Sequence, residues 1–263
     1  MCRLVFSYIP RVGRVYSLFS LLFLFHAPKN TSILAKRIET LFHFHFCVYL
    51  HKNRNEMDYI GFRELFIGGI AFTIRQVKLM LPTFNMSNIY RWAEKGYLTK
   101  LRNGCYAFTE CVEGGRYNYF LSQFIYRPSY VSLQTALSFY GLIPEAVFST
   151  TAVSTLKTIS FENSISTFAY QSISTKLFWG YNRFTMKSTS QSYNMACLEK
   201  AILDYLYLNP FYKSEQDFID LRFDDYIMQD VLDQEKLLSY TDRFGVGSLS
   251  KRVELLLQVY SCT

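Results

Sequence analysis

Histidine is missing from most of this chain of 263 residues: His26, His43, His45 and His51 are the only four, and none follows residue 51. Without an imidazole, the rest of the chain cannot build a Ser-His or Cys-His nucleophile pair. No lysine has Asp or Glu two residues before it, which excludes the D/E-x-K core of restriction-type nucleases. The six cysteines (Cys2, Cys47, Cys105, Cys111, Cys197, Cys262) form no C-x-x-C pair and show no metal-like spacing. They read as reduced thiols rather than a disulfide framework. No catalytic residue, metal ligand or cofactor site is assigned.

A long hydrophobic run is also lacking. Val15–Phe25 is apolar and follows Arg3, Arg11 and Arg14, but it is too short to span a bilayer. It resembles a signal-peptide core, yet no small-x-small cleavage site follows. Acidic residues are scarce in the same stretch: residues 1–56 hold eight Lys/Arg and two Asp/Glu, while residues 57–263 hold twenty and nineteen. The formal charge of +7 is therefore mostly that of a basic leader, and is poor evidence for nucleic-acid binding. Residues 1–56 are expected to be translated upstream sequence, with Met57 the true start. The alternatives are a secretory or membrane leader and a functional arm.

Three domains follow from these breaks: the leader 1–56, a unit 57–110, and a longer unit 111–263. In the second, Asp58–Ile67 reads as a short helix closed by Gly68-Gly69. Thr73 and Gln76 form a capping box, with Ile74, Val77, Leu79 and Met80 as an apolar stripe and Pro82 as the stop. Asn85 or Ser87 caps a third helix that Gly96 ends. Ile89, Trp92 and Ala93 share its buried face. The opposite face carries Ser87, Arg91 and Glu94, with Asn88, Tyr90 and Lys95 beside it. Leu98–Leu101 and Cys105–Phe108 read as strands around the tight turn Asn103-Gly104. The pattern is that of a winged helix-turn-helix. Ser87, Asn88, Tyr90 and Arg91 would enter a major groove, flanked by Lys95. Lys100, Arg102 and Asn103 would hold phosphates. Such units also serve as protein-interaction modules, and the net charge of residues 58–110 is only about +3, a modest electrostatic footprint.

In the third domain, Tyr117–Tyr126 reads as a helix broken by Pro128, and Ser132 as the cap of a second helix stopped by Gly141. Ala146–Phe161 reads as one strand, with "STFAYQSIS" and "LFWGYNRFTM" as two more, giving a small sheet. Cys197–Pro210 reads as a helix with Leu198, Ala201, Ile202, Tyr205 and Leu206 on one face. Glu199-Lys200 and Asp204 read as structural or interface residues, and Asp224-Asp225 as a solvated or capping pair. Gly245-x-Gly247 reads as a loop, and the tail from Ser214 as helical and acidic. The expected class is α+β: a winged helix-turn-helix, then a mixed domain with a small sheet and a helical tail.

Three strings carry a family resemblance: "EKGYLTKLRNGCYAF", "PSYVSLQTALSFYGLIPE" and "CLEKAILDYLYLNP". Over residues 58–263 the chain resembles the antitoxins of type IV abortive-infection toxin–antitoxin systems, the AbiEi family of transcriptional regulators. The second string is the most specific. The resemblance implies a cytoplasmic regulator that binds operator DNA and represses its own operon. It implies a C-terminal domain that opposes a nucleotidyltransferase-like toxin without necessarily touching it, and no stable membrane association. The alternative is a winged-helix interaction scaffold without DNA binding.

Overall fold

The computed structural model describes residues 57–261 except 116, 146, 187 and 188. The expectations for the leader lie outside the described residues. Among the described residues no helix is long and apolar enough to cross a membrane.

The described residues are mixed α+β with two sheets. Asp58 accepts from the Gly61 amide (2.9 Å) and starts α1, Tyr59–Phe66. A short strand β1, Ala71–Thr73, leads into α2, Ile74–Met80. The capping box of α2 is present: Gln76 N–H donates to Thr73 Oγ1 (3.1 Å), and Thr73 N–H donates to Gln76 Oε1 (2.7 Å). The apolar stripe expected on α2 is not buried as a stripe. Val77 is buried, but Leu79 and Met80 are 73% and 53% exposed. At about 100° per residue Leu79 lies nearly opposite Val77 on α2, and Met80 is its last residue.

Asn85 accepts from the Ser87 amide (3.0 Å) ahead of α3, Ser87–Glu94. The hairpin β2, Leu98–Arg102, and β3, Cys105–Phe108, turns at Asn103-Gly104, where Gly104 adopts φ +75°. These strands join β1 in an antiparallel sheet ordered β1-β3-β2. Phe62, Phe66, Phe72, Phe84, Trp92 and Phe108 fill the space between α1, α2, α3 and this sheet.

A four-residue helix α4, Thr109–Val112, leads to α5, Asn118–Ile125. Then follow β4, Ser129–Val131, and α6, Leu133–Phe139. Ser132 precedes α6 as expected but makes no capping bond; its hydroxyl donates to Asp204 instead. The single strand expected over Ala146–Phe161 is two strands, β5, Thr150–Ser154, and β6, Ile159–Glu162. β7 (Thr167–Ser172), β8 (Tyr181–Thr185) and β9 (Ser192–Ala196) complete a six-stranded sheet ordered β6-β7-β5-β4-β9-β8. The sheet is thus larger than the small one expected, because β4 and β9 pair in its centre.

Adjacent residues of β5 point to opposite faces, which places two cores on the sheet. Ala152, with Phe168 and Tyr170, packs against α5 and the small sheet through Leu121, Ile125, Ile70 and Leu101. The two sheets therefore share a core across residues 110 and 111, and the described residues form one compact unit. Val153 packs on the other side with α6, α7 (Leu198–Leu208), α9 (Gln234–Phe244) and α10 (Gly247–Ser261). The short α8, Glu215–Ile219, packs on α10.

Candidate nucleic-acid interface

Helix α3 is pinned by Ile89 and Trp92, 0% and 8% exposed. The Trp92 indole centroid lies 5.1 Å from Phe62, 5.4 Å from Tyr59 and 5.8 Å from Phe84. This anchoring fixes which side faces out. Ser87, Tyr90, Arg91, Glu94 and Lys95 are exposed, and Asn88 is half-buried. The Arg91 guanidinium donates to Asn88 Oδ1 one turn away, so these two side chains form a joined polar patch. Arg75 and Lys78 on α2 are also exposed. Sequence reasoning left them out of the site; their spacing around Val77 on a capped helix was the available signal.

The hairpin divides its polar residues. Lys100 and Asn103 are exposed. Arg102 turns inward: its Nη1 donates to the Ile125 carbonyl (2.7 Å), and its guanidinium lies 5.4 Å from the Phe161 ring centroid. The Asn163 amide further ties the hairpin by donating to the Leu101 carbonyl (3.2 Å). The structure thus groups Ser87, Asn88, Tyr90 and Arg91 on one helix. It sets Arg102 apart from them, against the large sheet.

A second polar cluster lies within the helical layer. Lys200 and Asp204, both fully buried on α7, form an ion pair. Lys200 Nζ also donates to the Tyr130 hydroxyl (3.0 Å), while Tyr130 and Ser132 donate to Asp204 at 2.8 and 2.9 Å. Aromatic rings of Tyr130, Trp179 and Phe244 surround the ammonium at 5.5, 5.2 and 4.7 Å. Burial pushes the Lys200 ammonium down and the Asp204 carboxyl up, each opposed by the charge of the other. Gly180, at φ +76°, makes room for this lysine, since a Cβ there would meet Lys200 Cγ at 2.9 Å. Nearby, Arg252 donates to the Leu206 carbonyl at the end of α7, and also to Asn209 (3.3 Å). Lys200 and Asp204 are both at 0% exposure, so the cluster organises packing.

Among the described residues, no three His, Cys, Asp or Glu side chains converge on a metal-sized site. Cys105, Cys111 and Cys197 are free thiols, and burial pushes all three up. No family model matches the chain, and no curated protein matches it.

Proposed function

We propose that residues 57–110 act as a winged helix-turn-helix that reads operator DNA, within a cytoplasmic repressor and antitoxin of the type IV abortive-infection kind. The observation that carries the reading is α3. Its apolar side is locked by Ile89 and Trp92, and its outer side offers Ser87, Asn88, Tyr90 and Arg91. A helix held this way presents donors at a fixed angle to base edges. Arg91 and Asn88 are of the types that make bidentate base contacts. Lys95, Arg75, Lys78 and Lys100 lie exposed and would meet phosphates, and Asn103 sits at the turn between the strands. Arg102, held by Ile125 and Phe161, would position the hairpin rather than reach a phosphate.

The regulatory half of the proposal rests on the three resembling strings and gives residues 111–263 the task of opposing a nucleotidyltransferase-like toxin. Exposed Leu79 and Met80, beside the same helix pair, favour the alternative of a protein-binding scaffold. Footprinting of the full chain on the DNA upstream of its own coding sequence decides between them. Protection of an inverted or direct repeat, weakening as salt rises, is the expected result. No protection at any salt, with salt-insensitive capture of a protein partner, overturns the DNA reading.

A further inference from the structure

The large sheet ends at β6, and among the described residues no strand pairs with its outer edge. The turn after β6 is closed by Asn163 N–H donating to the Ser166 carbonyl (3.3 Å). Antiparallel pairs alternate between bonded and non-bonded. In the register Phe161↔Phe168 and Ser160↔Ala169, the backbone groups of Ser160 and Glu162 therefore point away from β7. A cleft of about 750 Å³ runs beside them, lined by all four residues of β6 and, opposite, by Lys100–Asn103 of the hairpin. Because successive residues line it, the cleft follows the edge of the strand and not one face of the sheet.

Charge marks one side of this slot. Lys100 is exposed and Arg102 is held in place, and among the described residues neither forms an ion pair with a carboxylate. Arg102 lies over Phe161, on the face that Ile159 shares. Glu162 also lines the cleft but alternates to the other face. Ile159 is 39% exposed there.

We propose that β6 is a docking edge for an extended acidic segment of a partner protein, which adds as a further strand. Its backbone would bond to Ser160 and Glu162, a carboxylate would meet Lys100 and Arg102, and an apolar side chain would cover Ile159. A peptide backbone supplies donors and acceptors in alternation, matching a strand edge. A phosphodiester backbone supplies acceptors alone, which leaves the outward carbonyls unpaired. The cleft therefore suits a polypeptide better than a nucleic acid. This proposal is separate from the DNA reading, although Lys100, Arg102 and Asn103 of the hairpin figure in both.

The test uses the full chain and a labelled seven-residue peptide alternating Asp with Val, a Lys/Val counterpart, and a single-stranded oligonucleotide. Saturable binding of the acidic peptide is expected, with slowed amide exchange at Ser160 and Glu162. Ser160→Pro removes an outward N–H without touching the ladder, and Lys100→Glu reverses an exposed charge; each should weaken binding about tenfold. The Lys/Val peptide should bind at least as poorly as the acidic peptide does to Lys100→Glu. Three results overturn the proposal: no binding of the acidic peptide up to millimolar concentration, binding unchanged in both variants, or protection of these amides by the oligonucleotide alone.

Discussion

Residues 57–110 and residues 111–261 use charge in opposite ways. The first region has a core of aromatic rings and keeps its charges outside it: Arg75, Lys78, Arg91, Lys95 and Lys100 are all exposed. The second buries Lys200, Asp204, Glu199 and Arg252 among its helices and sheet. Buried charges must be paired or hydrogen-bonded to be tolerated: Lys200 pairs with Asp204, Glu199 lies in an ion pair with Lys236 (2.8 Å), and Arg252 donates to helix-end carbonyls. Exposed cations cost little and remain available to a ligand. The contrast separates a region with several exposed cations from one whose buried charges fix the position of α7.

The strongest break of this contrast is Lys200→Met. It leaves Asp204 buried with only hydroxyl donors, and loss of one partner of a buried pair costs about 3–5 kcal/mol. Urea unfolding of the full chain should show it. The variant should also be pH-sensitive in a defined direction. Without the ammonium, burial raises the Asp204 carboxyl further, so the folded state holds a proton that the unfolded state has released. Stability is then greatest at acid pH and is lost as pH rises through the raised value. Adding Asp204→Leu should recover most of the loss and remove that slope. A flat profile in Lys200→Met would show that the cluster does not hold α7.

In the first region the expected effects fall on binding. Arg91→Ala should cost about 1–3 kcal/mol of DNA affinity and relax base preference. Lys100→Ala should weaken all sequences alike and reduce the salt slope by about one contact. Titration against the footprinted site and a scrambled duplex measures both. Stability should hardly change, because both side chains are exposed. Equal losses on specific and scrambled DNA for Arg91→Ala would remove α3 as the reading element.

How much of this was legible beforehand follows the range of the interaction. The capping box at Thr73–Gln76, the Asn103-Gly104 turn and the buried Ile89–Trp92 face are set within a few residues, and all three are present. β4 and β9 were not foreseen. β4 has three residues, and its partners β5 and β9 come from later in the chain, so no local period marks it. The break between β5 and β6 spans Thr155–Thr158, with neither Gly nor Pro to signal it. Lys200 and Asp204 lie at i,i+4 on α7. The sequence marked Glu199-Lys200 and Asp204 as structural or interface residues without pairing Lys200 with Asp204, and the rings that make the pair a buried site come from Tyr130, Trp179 and Phe244 on distant segments. The inward turn of Arg102 has the same origin, since Ile125 and Phe161 are supplied by the second region.

The smallest effect tests whether the first region has any internal charge tie at all. Arg63 on α1 holds Glu110 on α4 with two hydrogen bonds, at 2.6 and 3.1 Å. The side chains are 39% and 49% exposed, so solvent screens the pair and about 0.5 kcal/mol is expected from it. The Arg63 hydrogen bond holds the Glu110 carboxyl below the usual glutamate range. A lowered folded value gives stability that is present above the unfolded value and is lost as pH falls through the folded one. Glu110→Gln should therefore lower the thermal midpoint slightly at neutral pH and match the parent chain once both are below that range. Because the two sheets share a core, the shift should move the whole unfolding curve and not split it. A separate early transition in Glu110→Gln would show the two regions unfolding independently, and the contrast in charge usage would then mark a contrast in stability as well.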